Sequence, residues 1–90
     1  MNNIKWIIDP GHAWLRVPLK ELLNLNIESL ISTFSYCDSL YGYLEEDCDA
    51  FEYFKAANIS IKDKMSIPHT IYSHDAPCRS YRRWYYSEVK

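Results

Sequence analysis

Residues 4–17, IKWIIDPGHAWLRV, decide the fold expected for this 90-residue chain. Residues 4–8 form a short apolar run rich in β-branched side chains, and the Asp-Pro-Gly sequence that follows is typical of a turn. Residues 13–17 return to β-prone side chains. The two runs therefore predict a β-hairpin whose tip carries Asp9 and His12.

A short helix and a second β-hairpin are predicted next along the chain. Pro18 suits the first position of a helix, and leucines spaced three and four residues apart predict that helix near residues 18–25. It should end at the asparagines that follow, since Asn tolerates the left-handed conformation. Residues 31–37 and 41–45 are β-branched and aromatic, and a turn-like Asp-Ser pair separates them.

A second helix and a final strand complete the predicted fold. Asp49, followed three residues later by Glu52, matches a capping box and predicts a helix over residues 50–57. Residues 65–72 fit one further strand interrupted by a proline. The order β-β-α-β-β-α-β predicts an α+β fold, with an antiparallel sheet that carries both short helices on one face.

Composition predicts one folded domain over residues 1–90. Apolar side chains make up 48% of the chain and aromatic ones 16%, which is enough to bury a core. No apolar stretch approaches the length of a membrane span, and the N-terminus lacks the pattern of a secretory signal. Cys37, Cys48 and Cys78 form no CxxC pair and are expected as free thiols. The chain is therefore expected in the cytoplasm, away from membranes.

Charge is distributed unevenly along the chain. Residues 1–57 carry 4 basic and 9 acidic groups, whereas residues 58–90 carry 6 and 3. This asymmetry predicts either two surfaces with different partners or two segments that neutralise each other in the fold.

An acidic cluster dominates the first of these regions: Glu45, Glu46, Asp47 and Asp49. Several carboxylates can hold a hard cation such as Mg²⁺. The favoured interpretation is a helix N-terminal cap with a solvated face, which involves no metal. A third interpretation makes the cluster a binding surface that engages a basic groove or imitates nucleic-acid phosphates.

The C-terminal segment, residues 79–86, reads RSYRRWYY and interleaves arginines with aromatic side chains. Its candidate binding residues are Arg79, Arg82, Arg83, Trp84 and Tyr85. Such a composition suits stacking on nucleic-acid bases, and it equally suits a protein-binding hot spot. The simplest alternative is a terminal strand whose Trp84 and Tyr85 pack on the sheet while Arg82 or Arg83 pairs with the acidic cluster.

Ligand-type side chains also suggest catalytic alternatives. His69, His74, Asp75 and Cys78 lie within ten residues of each other, although their spacing matches no zinc finger. A second alternative is a nucleophilic site in which Cys48 or Cys78 meets His12 or His74 in space.

Two resemblances to known families bear on function. The strand followed by DPGH over residues 4–12 is similar to the opening of zinc-dependent N-acetylmuramoyl-L-alanine amidases. That resemblance implies His12 as a zinc ligand, with a Glu acting in catalysis. Ala13 replaces the glycine that usually follows the histidine, and His69 and His74 are the remaining histidines of the chain.

The second resemblance extends over most of the chain. IIDPGHAWLRV, ISTFSY, YLEEDCDAFEYF and HDAPCRSY resemble, in order and spacing, a family of small proteins carried by phages and mobile elements. The resemblance implies an accessory protein of a mobile element and brings no catalytic residues with it.

Together these observations favour a non-enzymatic protein that binds a host protein in the host-cell cytoplasm, as an inhibitor of a defence system such as CRISPR. No cofactor or metal is expected in that case. The alternatives are a small metal- or Cys/His-dependent hydrolase that uses Asp9, His12 and His74, and a nucleic-acid-binding module built on the C-terminal segment.

Overall fold

The structure, a computed structural model, describes residues 4–85 and contains a six-stranded sheet with the order β5-β1-β2-β4-β3-β6. The strands are β1 Lys5–Ile8, β2 Ala13–Pro18, β3 Tyr36–Cys37, β4 Tyr41–Glu45, β5 His69–Ile71 and β6 Arg82–Arg83. The helices are α1 Leu19–Asn24, α2 Asp49–Ala56 and α3 Ile61–Met65, and 3₁₀ turns form at Glu28–Leu30 and Pro77–Ser80.

The α+β class and the two hairpins are confirmed, and a strand forms within residues 65–72 as predicted. Two strands are shorter than predicted: β3 occupies Tyr36–Cys37 of the expected 31–37, and β5 occupies His69–Ile71 of the expected 65–72. β1 pairs with β2, and β3 with β4, in antiparallel register. One difference concerns β5, which runs parallel to β1 and makes the sheet mixed. A parallel pair needs a long crossover connection, and the chain from β2 through α3 provides it.

The residues that begin and end the helices agree only in part with the sequence-based prediction. Asn26 closes the first helical segment with φ 58°, as expected of an asparagine in the left-handed region. α3 was not predicted, although the Ser60 side chain accepts a hydrogen bond from the Asp63 amide in the manner of an N-cap. The capping box predicted at Asp49 is wrong, because α2 begins at Asp49 and no side chain caps it.

The sheet separates two apolar clusters. On one side, called the helix face, α1 and α2 pack Leu22 and Tyr53 against strand residues such as Leu15 and Leu44. Both predicted helices therefore share one face of the sheet. No helix within residues 4–85 has the length and apolar character needed to cross a membrane.

The other side, called the opposite face, carries a mainly aromatic cluster. Its buried members are Ile7, Trp14, Tyr36, Tyr43, Ala76 and Cys78. Only part of this face is covered, by the segment that contains the Pro77–Ser80 turn. Cys37 and Cys78 are buried and Cys48 is exposed, and all three are free thiols as predicted.

Gly42 provides a test of packing on the helix face. A Cβ atom at this position would lie 2.8 Å from Leu22 Cδ1 and 2.9 Å from Trp84 Cζ3, both within the buried cluster. We therefore expect Gly42→Ala to lower the free energy of unfolding by about 1–3 kcal/mol through overpacking. Chemical denaturation measures this change. Ser39→Ala, on the exposed turn of the same hairpin, should change stability by less than about 0.5 kcal/mol. Equal stability of the Gly42→Ala variant and the wild type would contradict this packing.

Candidate functional site

An open cleft of about 460 Å³ occupies the uncovered part of the opposite face. Four separate regions of the chain line the cleft: the β1–β2 hairpin, the residues directly before and within β3, the end of β4 with the turn that follows, and the C-terminal segment. The lining residues are His12, Trp14, Phe34, Tyr36, Glu45, Asp47, Cys48, Arg79 and Arg83.

Aromatic rings and arginines together form one wall of the cleft. Trp14 and Tyr36 meet edge to face, with ring centroids 6.0 Å apart. The guanidinium carbon of Arg79 lies 4.9 Å from the Trp14 ring centroid, and that of Arg83 lies 4.9 Å from the Tyr36 ring centroid. Cation–π attraction therefore holds both arginines in the cleft. Phe34 is 65% exposed at its edge.

Asp9, which is buried and does not line the cleft, fixes the position of Arg79. The Asp9 carboxylate accepts five hydrogen bonds, two of them from the Arg79 guanidinium and the others from the amides of Gly11, His12 and Ala76. The shortest joins Arg79 Nε to Oδ2 over 2.6 Å, and the Asp9 side chain is 1% exposed. The hydrogen bonds from Arg79, followed by those from the amides, hold the pKa of Asp9 far below its usual range although burial opposes this.

This arrangement bears on the catalytic role considered for Asp9. Asp9 does not line the cleft, and its oxygens already bind the hairpin tip and the Ala76–Arg79 region. These contacts favour a structural role for Asp9. The catalytic role considered for it from sequence remains a prediction.

Glu45 organises the acidic wall of the cleft. It is the last residue of β4, directly across the ladder from Trp14, and it is 9% exposed. Its Oε1 accepts hydrogen bonds from the amides of Asp47 and Cys48, over 3.0 and 3.2 Å, which fixes the turn that follows. The Asp47 side chain is thereby placed on the cleft.

The cleft thiol is held in its protonated form. Loss of hydration and then the neighbouring Glu45, 3.3 Å from the Cys48 sulfur, raise the pKa of Cys48 to about 11. Burial raises the pKa of Cys78 to about 12. Because the thiolate is the nucleophilic form, these environments oppose a Cys/His-dependent hydrolase.

His12 approaches the acidic cluster, as the metal-dependent alternative requires. Its Nδ1 lies 3.9 Å from Glu46 Oε1, and the side chains of His12 and Glu46 are 50% and 40% exposed. One ligand atom from each of His12, Glu45 and Glu46 lies within 4.8 Å of the others. Asp9 is not part of this group.

The structure brings together two predicted clusters that are distant in sequence. Glu45 and Asp47 of the acidic cluster line the same cleft as Arg79 and Arg83 of the C-terminal segment. Arg79 itself pairs with Asp9 and, over 3.9 Å, with Asp75, and Arg83 donates a hydrogen bond to the Thr33 carbonyl.

Other predicted binding residues are buried. Asp49 is 2% exposed, and its Oδ2 accepts hydrogen bonds from the hydroxyls of Ser32 and Ser35. Trp84 is 1% exposed, and its indole N–H donates to the Glu28 carbonyl, so it packs in the core as the simplest interpretation predicted.

The remaining C-terminal candidates are exposed. Arg82 lies on edge strand β6, and Tyr85 is 49% exposed rather than packed on the sheet. Tyr86, the last residue of the segment RSYRRWYY, lies outside the described residues.

The histidine-rich loop forms a separate region. His74 and Asp75 line a shallow depression beside Pro10 and Gly11, and His69 lies in β5. Among residues 4–85, neither His69 nor His74 belongs to a group of three potential metal ligands, so the structure offers no zinc site in this loop.

Trp14, Phe34 and Tyr36 were missed as site residues. The two-residue period of a strand places Trp14 opposite in direction to Leu15, and Tyr36 opposite to Cys37, so both rings leave the helix face. That signal was present in the sequence. The sequence gives no sign, however, that this part of the opposite face stays uncovered.

Comparisons with family models, curated proteins and solved structures found no significant match to this chain. The functional argument therefore depends on the geometry of the cleft.

The Asp9–Arg79 pair provides a test of how the site is held. We expect Asp9→Asn to lower the free energy of unfolding by about 3 kcal/mol near pH 7, because it leaves Arg79 without its buried counterion. The folded-state pKa of Asp9 lies below that of the unfolded chain. The stabilisation by the Asp9 carboxylate is therefore complete above about pH 4 and is lost as the pH falls further. Below that point, the difference in free energy of unfolding between the wild type and Asp9→Asn should narrow by about 1.4 kcal/mol per pH unit.

Asp75→Asn is the matched control for this measurement. Asp75 also faces Arg79, but its side chain is 89% exposed and 3.9 Å away, so its loss should change stability by less than about 0.5 kcal/mol. Urea titrations of the three proteins at pH 7 and pH 3 measure both effects. Similar losses of stability in Asp9→Asn and Asp75→Asn would contradict the structural role given to the Asp9–Arg79 pair. A stability difference between the wild type and Asp9→Asn that is the same at pH 7 and pH 3 would contradict it as well.

Proposed function

We propose that this protein acts by binding a protein partner through the cleft on the opposite face. A host protein is the partner, and the function is that of a phage or mobile-element accessory protein directed against a host defence system such as CRISPR. The observation that carries the proposal is the convergence of the acidic cluster and the C-terminal arginines on one aromatic cleft.

The composition of the cleft supports recognition of a protein. Trp, Tyr and Arg are the side chains most enriched at binding hot spots, and here Trp14, Tyr36, Arg79 and Arg83 stack on one another. Phe34 offers an exposed apolar contact beside them. Carboxylates face the arginines across the cleft, so a partner with complementary charges can be oriented as well as held.

Rigidity of the cleft supports the same function. The Asp9–Arg79 pair and the cation–π contacts hold the two arginines in place before any partner arrives. The hydrogen bonds of Glu45 hold the acidic wall. Side chains that are already ordered lose less conformational entropy on binding, which raises affinity.

Nucleic acid fits this surface less well. Trp84 is buried, Arg79 is engaged by Asp9, and Arg83 stacks on Tyr36 while donating to the Thr33 carbonyl. The Trp84 ring is therefore closed to stacking by bases, and both arginines already have partners within the protein. The carboxylates of the acidic cluster would also repel phosphates.

The resemblance inferred from the sequence motivates the class of partner in this proposal. The segments IIDPGHAWLRV and YLEEDCDAFEYF, which resemble phage and mobile-element proteins, contribute Trp14 and Glu45 to the cleft. An accessory protein of this kind would act by occupying a surface of a host protein.

A photo-crosslinking experiment tests protein binding at the cleft. The photoreactive amino acid p-benzoylphenylalanine replaces Phe34, which lies on the cleft, or Met65, which is 80% exposed on α3. After irradiation in bacterial cells, we expect a defined heterologous protein adduct from position 34 and not from position 65. Arg83→Glu in the same chain should remove that adduct. Adducts that are equal at both positions, or unaffected by Arg83→Glu, would contradict binding through the cleft.

A phage-plating assay tests the defence-system part of the proposal separately. Expression in bacteria with active CRISPR immunity should restore plating of a targeted phage to the level seen in cells without that immunity. Asp47→Lys and Arg83→Glu should abolish the restoration, because each reverses a charge on the cleft. Lys62→Glu, on exposed α3, should retain it. No restoration in a panel covering the main CRISPR types would overturn CRISPR as the target while leaving the crosslinking result intact.

A further inference from the structure

We propose that His12, Glu45 and Glu46 form a binding site for a divalent transition-metal ion of the zinc class at the edge of the cleft. The inference does not depend on the proposed function, because metal binding can be measured on the isolated protein. It starts from the one group of three potential ligands found among residues 4–85, whose ligand atoms all lie within 4.8 Å of one another.

The three ligands come from two strand ends that the sheet holds side by side. His12 precedes β2, and Glu45 ends β4, to which β2 pairs in antiparallel register. The Glu46 amide donates to the Ala13 carbonyl over 3.1 Å and so extends this pairing to the third ligand. The backbone therefore fixes all three positions before an ion binds.

The side chains combine one rigid ligand with two adjustable ones. Glu45 is 9% exposed and anchored by the amides of the following turn, whereas His12 and Glu46 are both substantially exposed. Ligands about 2.1 Å from a tetrahedral metal lie about 3.4 Å apart. The three ligand atoms lie within 4.8 Å of one another, with 3.9 Å between His12 Nδ1 and Glu46 Oε1, so pairs of them must approach by at most about 1.4 Å to bind one ion. Rotations of the exposed His12 and Glu46 side chains can provide this approach.

Charge provides an independent argument for a cation. Glu45 and Glu46 bring two like charges close together, and the ion-pair partner observed for Glu46 is His12, which is charged only when protonated. Arg79, an arginine of the same cleft, is already engaged by Asp9. A divalent ion at this point would neutralise both carboxylates and remove their mutual repulsion.

The donor set selects the class of metal. One imidazole with two carboxylates suits Zn²⁺ or Mn²⁺, whereas Mg²⁺ and Ca²⁺ prefer oxygen ligands alone. Three protein ligands leave a fourth position, which is typical of a metal open to a further ligand. Since His12 and Glu45 both line the cleft, a group bound there can reach that position.

Isothermal titration calorimetry of the tag-free protein with Zn²⁺, and separately with Mn²⁺ and Mg²⁺, tests the site. We expect one equivalent of Zn²⁺ to bind, Mn²⁺ more weakly, and Mg²⁺ not measurably. His12→Ala and Glu46→Gln should each raise the Zn²⁺ dissociation constant at least about tenfold, because even the loss of a group that only supports a ligand weakens metal affinity by that much. Both residues are exposed, so the variants should keep the fold, which near-ultraviolet circular dichroism verifies.

Two further variants make the test specific. His74→Ala removes an exposed histidine outside the group, and Cys48→Ser removes the thiol beside Glu45; both should bind Zn²⁺ like the wild type. Absence of Zn²⁺ binding at millimolar concentration would overturn the proposal. Binding that survives His12→Ala, or that is lost in Cys48→Ser or His74→Ala, would equally overturn it, because another donor set would then hold the ion.

Discussion

The buried ion pair between Asp9 and Arg79 is the interaction on which the rest of this structure depends. It joins residues 70 positions apart in sequence, and the Asp9 carboxylate also binds the Ala76 amide, so the hairpin tip and residues 76–79 become one unit. A buried carboxylate is stable only when its charge is matched and its oxygens are hydrogen-bonded. Asp9 meets both conditions, because guanidinium and amide donors surround it.

The composition of the cleft follows from this pair. With the Ala76–Arg79 region fixed, Ala76 and Cys78 cover part of the opposite face, and the Arg79 guanidinium comes to rest on the Trp14 ring. The rest of the aromatic surface stays open, and β6 places Arg83 on Tyr36 beside it. Protein recognition and metal binding are proposed for two parts of the same cleft, which share Glu45 on its acidic wall.

Local structure was largely predictable from sequence, because its causes are local. The Asp-Pro-Gly turn and the alternation of side chains predicted both hairpins, and leucine spacing predicted the first helix. The parallel pairing of β5 with β1 could not be derived in this way, since it depends on where a distant segment meets a sheet edge. α3 was missed although Ser60 carried a capping signal in the sequence.

The candidate site was predictable as a set of residues but not as an arrangement. Sequence identified Asp9, the acidic cluster and the C-terminal arginines as candidates. It assigned Asp49 to a helix cap, but the Asp49 carboxylate instead accepts hydrogen bonds from Ser32 and Ser35, in a loop that is distant in sequence. A carboxylate accepts any suitable donor, so its partner depends on tertiary contacts rather than on neighbours in sequence. For the same reason, nothing near residue 9 indicated Arg79 as its counterion.

Native-state amide hydrogen exchange at Ala76 tests most directly whether this pair attaches the segment of residues 76–79 to the sheet. The account predicts that the Ala76 amide, which donates to Asp9, exchanges with an opening free energy close to that of the Leu15 amide in central strand β2. The two amides would then open together in global unfolding. Much faster exchange at Ala76 than at Leu15 would show that the segment detaches on its own, and would contradict the account.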